Sequence, residues 1–244
     1  MGRAERIAIG PLIGRSYAHP LRHWTLFLWI AWPWLALTVL IGLLVPRLPL
    51  GRAAPYVGEL FDIPLVVAFA VAWHRATLVG EVPKGWVGGR FGRRELRYAG
   101  WVALLMAGSF GVMVLAALLA TALMGVEPGP GQIALVLIAL AGVVYLATRL
   151  ILLLPAAALG DRNAGLGWSW RLTRGHGLAL FLGFCAASLP LLLLKYVLVL
   201  ASGEPAAGSL AALLAQAVRR LFDFANMAVS IAFMSFVYQA FTRP

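Results

Sequence analysis

Acid is scarce in this chain. Nine Asp and Glu stand against 20 Lys and Arg, and charged residues make up 12% of the 244 positions. A soluble domain of this length carries about twice that charge fraction. So few carboxylates leave little material for general acid–base pairs or for the Asp-rich signature of a membrane phosphotransferase. Cysteine is scarcer still: Cys185 stands alone inside an apolar run, so it forms no intramolecular disulfide and no thiolate metal site. Long polar stretches are missing too, which excludes a separate soluble hydrolase or nucleotide-binding domain. No HExxH, no G-x-S-x-G and no phosphate loop ending in Lys occurs. ALGDRNAG at Ala158–Gly165 lacks the first Gly and the second Asp of an intramembrane aspartyl protease. His74, Glu81, Asp161 and His176 are the right residue types for a metal, but their spacing matches no ligand pattern. The expectation is therefore no catalytic residue, no cofactor, no metal and no enzyme.

What the chain has is long apolar runs, with 62% hydrophobic residues and a mean hydropathy of +0.89. At 1.5 Å per residue, about 20 such residues cross a hydrocarbon core of about 30 Å. Six spans are expected: Trp24–Val45, Val57–Val79, Trp101–Met124, Gln132–Leu154, Leu178–Leu200 and Phe224–Phe241. The first is too long for a cleavable signal and reads as an uncleaved span. The fold class expected is all-α, a single integral membrane domain over 1–244 with interfacial amphipathic segments.

The cations are not spread evenly. Fifteen fall on one side of these spans: Arg3, Arg6, Arg15, Arg22, Arg75, Lys84, Arg90, Arg93, Arg94, Arg97, Arg149, Arg162, Arg171, Arg174 and Arg243. Arg47, Arg52, Lys195, Arg219 and Arg220 fall on the other. Lys and Arg in short loops are retained in the cytoplasm, so both termini are expected there. The same rule explains the net charge of +11 without nucleic acid.

One unit is read three times. Arg15, Arg93 and Arg171 recur at a spacing of about 78 residues, each opening a basic, aromatic segment before a hairpin. Pro11 and Pro20 argue that the first of these, Ile7–Trp24, is broken. Ala206–Phe222 is a second amphipathic candidate, or an extension of the sixth span. Small residues at Ala107, Gly111 and Ala116, and at Gly183 and Ala187, suit close helix approach.

The candidate site is basic. Arg93, Arg94, Arg97, Arg171 and Arg174 lie at headgroup depth, with Trp101 and Trp170 fixing that depth, and the expected partner is an anionic phospholipid. Structural contacts are expected for the charges nearest the spans. Arg75 pairs with Glu81, Asp62 pairs with Arg219 or Arg220 or caps the helix above Pro64, and Arg149 snorkels or pairs. A protein partner or a homo-oligomer is a further expectation. Pro33 and Pro190, near Thr38 and Ser188, would break spans near mid-depth, and with Pro64 they motivate the alternative of a carrier for a lipid or small amphiphile.

Two stretches resemble a known family. WHRATLVGE at Trp73–Glu81, and RLILLLPAAALGD followed by WSWRLTRGHGLALFLGF across Arg149–Phe184, are similar to six-span bacterial membrane proteins. Those are related to the membrane domain fused to some glycerophosphoryl diester phosphodiesterases. The resemblance implies a six-helix fold and bacterial inner-membrane residence. It transfers no catalytic residue, because the hydrolase of the fused relatives is a separate soluble domain.

Overall fold

The computed structural model describes residues 8–44, 47–49, 54–82, 92–125, 129–203 and 209–242. Arg3, Arg6, Arg52, Lys84, Arg90 and Arg243 of the charge census lie outside them. Helix is the only extended regular structure among the described residues. In chain order the helices are α1 (Ile9–Arg22), α2 (Trp24–Leu44), α3 (Ala54–Val79), α4 (Arg93–Met124) and α5 (Pro130–Arg149). They are followed by α6 (Leu153–Leu159), α7 (Leu166–Leu172), α8 (Gly177–Ser202) and α9 (Leu210–Thr242). Six segments are long and apolar enough to cross a membrane: α2, α3, α4, α5 running on into α6, α8 and α9. The chain is a multi-pass helical membrane protein.

Where the core sits is not where hydropathy is highest. The α9 segment has a mean hydropathy of 1.5 and is 67% buried, whereas α4 reaches 2.4 and is only 6% buried. Lipid tails are as apolar as Leu, so a strongly apolar helix gains nothing by leaving them. Small and polar groups gain more from protein neighbours. The buried stretch of α9 accordingly carries Ala228, Ser230, Ala232 and Ser235 beside Phe224, Phe233 and Val237. It packs against α1, α2, α3, α6 and α8, while α3 supplies Phe69, Trp73 and His74 to the same core. The Trp73 indole donates to Ala228 O at 2.9 Å, and His74 Nδ1 lies 2.8 Å from Ser235 Oγ. Those two contacts fix α3 against α9 at depth.

Consecutive helices pair as α2 with α3, α4 with α5 and α8 with α9. The three arginines that spacing makes equivalent occupy unlike settings. Arg15 stands over the Phe236 ring from within α1, Arg93 opens α4, and Arg171 belongs to the short helix α7.

Two boundaries differ from expectation, each for a local reason, and a third settles an open alternative. Helix α1 is continuous despite Pro11 and Pro20. Pro11 falls in the first turn, where an N–H has no intrahelical partner, and Pro20 falls in the last. Helix α1 also packs on α8 and α9 rather than lying apart from them, with Ile9 against Gly183. The fourth span stops at Arg149, turns through Leu150–Leu152 and restarts as α6. Residues 210–222 simply extend α9, to 33 residues or about 50 Å.

Proline in α8 is compensated across the bundle. Pro190 has no N–H, so Ala186 O loses its helical partner. The Tyr17 hydroxyl, arriving from α1, lies 3.2 Å from Ala186 O and 3.0 Å from Ala187 O. Nearby, Ser188 Oγ meets Ser230 Oγ at 3.0 Å. Among the small residues, Ala187 and Ala116 are buried and Gly183 lies close to Phe233 and Ile9, whereas Ala107 and Gly111 are exposed on α4 and a Cβ on Gly111 would meet nothing within 4 Å.

Candidate functional site: a four-arginine cleft

Helix α4 starts at Gly92, whose N–H is received by Glu95 Oε2 at 2.8 Å, closing the first turn. That start puts Arg93, Arg94 and Arg97 on the first turn and a half of the helix. Opposite them α6 ends at Gly160, which takes φ +80°, a conformation that suits glycine. A side chain there would also crowd Arg94, because its Cβ would stand 3.2 Å from Arg94 Nε. Arg162 follows in the connection to α7. Arg97 Nη2 donates to Ala164 O at 3.0 Å and holds that connection against α4.

The result is an open cleft of about 610 Å³ lined by Arg93, Arg94, Arg97, Leu159, Gly160 and Arg162. Four arginines line it, and no carboxylate among the described residues does. The two acids nearest in sequence are turned to their own backbone: Glu95 caps α4, and Asp161 Oδ1 receives the Asn163 N–H at 2.9 Å. Like charges held together in this way attract a compact anion, and guanidinium forks suit phosphate oxygens in pairs.

The other candidates are placed elsewhere. Arg171 and Arg174 are exposed at and just after α7 and do not line the cleft. Trp101 is partly buried against the core. Trp170 stacks under Arg149, whose guanidinium carbon lies 4.3 Å from the ring centre. Arg149 itself is buried, and it meets no carboxylate among the described residues. Its Nη2 donates to Trp170 O at 2.7 Å, and Ser169 Oγ donates to Arg149 O at 3.0 Å. Thr173 Oγ1 lies 3.1 Å from the same carbonyl. The break after Arg149 frees that carbonyl, and α7 supplies Ser169 and Thr173, one turn apart, to take it. Arg149 is thus an internal fastening for the α5–α7 corner and does not snorkel.

At the same end of the bundle Arg75 pairs with Glu81 and donates Nη1 to Ala158 O at 3.2 Å. At the opposite end Arg220 meets Asp62 at 2.6 Å, and Lys195 pairs with Asp223. His74, Glu81, Asp161 and His176 do not converge. His74 is buried beside Ser235 and His176 stands edge-on to Phe241. Among the described residues no three His, Cys, Asp or Glu side chains gather as metal ligands.

Arg162 is the cleft residue that spacing alone did not single out. It counted only as one more inner-side cation, and its role depends on the turn at Gly160. Comparison with protein-family models, with curated proteins and with solved structures finds no match.

Proposed function

We propose that this is a non-enzymatic protein of the bacterial cytoplasmic membrane that binds anionic phospholipid through Arg93, Arg94 and Arg97, with both chain ends in the cytoplasm. Association with a larger membrane complex is part of the same reading, because exposed Arg171 and Arg174 remain available on that face. The observation that carries it is the cleft lined by four arginines and by no carboxylate among the described residues. Its placement at the basic end of the bundle supports the orientation. The likeness of Trp73–Glu81 and Arg149–Phe184 to the six-span bacterial family supports the membrane assigned.

Native mass spectrometry of the purified protein tests the lipid reading. Arg93→Ala combined with Arg94→Ala is expected to cut retention of acidic phospholipid at least about tenfold, since losing even one charged hydrogen bond of about 1.5–3 kcal/mol weakens binding by that much or more. Equal retention by the variant and the parent removes these residues from lipid binding.

A carrier of a lipid or small amphiphile is the second reading. It is favoured by an apolar groove of about 460 Å³ where α1 and α2 meet α8 and α9, lined by Tyr17, Trp24, Phe27, Leu191, Phe222 and Val229 among others. Protein-dependent flux in proteoliposomes supports the carrier, and its absence leaves the first reading.

A further inference from the structure

The cleft does not stand alone on its helix. Arg97 and Leu104 are seven residues apart, which is nearly two full turns, so they share a face about 10 Å apart along the axis. Gly108 and Val112 continue the same stripe. Leu104, Gly108 and Val112 form one wall of a groove of about 290 Å³ between α4 and α5, whose other wall is Val143, Leu146, Ala147 and Leu150. Leu166 closes the groove at the cleft end, two residues beyond Ala164, the carbonyl that Arg97 holds. The groove is almost wholly apolar. Its one hydroxyl, Ser109, already donates to Leu105 O at 2.7 Å. Gly108 leaves open space in its wall, because a Cβ there would meet nothing within 4 Å.

We infer that cleft and groove are one composite seat for a lipid whose headgroup carries two phosphate charges, with the headgroup among the arginines and one acyl chain between α4 and α5. This rests on the reading that the arginines meet an acidic lipid, and adds the lipid's class and pose. The charge count selects the headgroup. A single phosphodiester offsets one of four guanidiniums, while two phosphates give each pair of forks an anion. The apolar groove selects a tailed ligand over a soluble one. A soluble diphosphate would use the cleft and leave the groove idle. Basic pockets between membrane helices at the cytoplasmic side are a known setting for polyanionic headgroups.

The test uses the full chain in mild detergent, read by native mass spectrometry, with cardiolipin, phosphatidylglycerol and phosphatidylcholine as probes and free pyrophosphate as competitor. Cardiolipin retention is expected to exceed that of phosphatidylglycerol by about tenfold. Arg93→Gln with Arg94→Gln should bring the two together. Gly108→Leu should fill the groove and lower cardiolipin retention several-fold, and Ala147→Leu from the facing wall should do the same should the first variant be unstable. Pyrophosphate should fail to displace the lipid. Equal retention of cardiolipin and phosphatidylglycerol, both above phosphatidylcholine, overturns the two-charge headgroup and leaves the acidic-lipid reading standing. Equal retention of all three overturns both. Unchanged cardiolipin retention in both groove variants overturns the acyl-chain seat. Displacement by pyrophosphate makes the cleft a soluble-anion site.

Discussion

At the scale of single residues, several polar groups inside the bundle are matched across helices, as Trp73 is with Ala228, His74 with Ser235 and Tyr17 with Ala187. Tyr17 and Pro190 form such a pair. Tyr17→Phe should cost about 1 kcal/mol, the net worth of one hydrogen bond. Pro190→Ala restores an N–H for Ala186 O, so the same Tyr17 change should cost clearly less in that background. Unfolding of the four proteins in detergent gives the coupling, and additive costs would dismiss the pairing. His19 offers a second measurement. Thr77 Oγ1 donates to Trp73 O at 2.8 Å, so at 3.2 Å it receives the His19 Nε2 proton. Burial first, then the charges of His23 and Arg15, hold the imidazole at about 4, below the ordinary 6.5. The unfolded chain thus takes up a proton in that window that the folded chain refuses. Stability from this group is complete above 6.5 and is lost as pH falls toward 4. His19→Gln keeps a donor for Thr77 and cannot titrate. Its melting temperature should fall less on acidification from pH 7 to 4.5, and a slope equal to the parent's would argue against His19 as the source. Little of this was legible beforehand. Arg149 read as a snorkelling charge because only its sequence position was known, and the frame that buries it is assembled from Ser169, Trp170 and Thr173, some 20 residues away.

At the scale of elements, the spans were legible and their breaks were not. A long apolar run declares a membrane helix because no other local structure satisfies its backbone in lipid. Pro155, which has no N–H for Ile151 O and falls in the first turn of α6, announces a break nearby, but the stop at Arg149 itself is decided by hydrogen bonds from Ser169 and Thr173 to the Arg149 carbonyl. Small residues were equally ambiguous. Gly111 and Gly183 both sit in apolar runs, yet only one is a contact. A Cβ on Gly183 would fall 2.8 Å from Phe233 Cζ and 2.5 Å from Ile9 Cγ2, while one on Gly111 meets nothing within 4 Å. Gly183→Ala should therefore destabilise by about 1–3 kcal/mol through overpacking. Gly111→Ala should stay within about 0.5 kcal/mol or be mildly stabilising. Thermal unfolding of both variants in one detergent decides it, and equal behaviour would contradict the α1–α8–α9 packing.

At the scale of the whole molecule, charge separates the two ends. The end with Arg93, Arg94, Arg97 and Arg162 faces the cytoplasm in the proposed orientation, and Ser209 faces out. In a Cys185→Ser background, Ser209→Cys should react with an impermeant maleimide on intact cells. Arg162→Cys should react only after permeabilisation, and the reverse pattern would invert the topology. The asymmetry was plain in the sequence because a cation census needs no contacts. Which cations share a cleft was not, because Arg162 joins Arg94 only through the backbone reversal at Gly160.

The uneven burial of α4 and α9 sets how freely each can drift. On the face of α4 turned away from the cleft and the groove, any aliphatic residue that suits lipid will serve, so that face keeps little record of ancestry. Residues 224–238 of α9 must fit α1, α2, α3, α6 and α8 at once. Remote kin of this chain are to be recognised by α9 and its partner α3, even where the greasier helices have been rewritten.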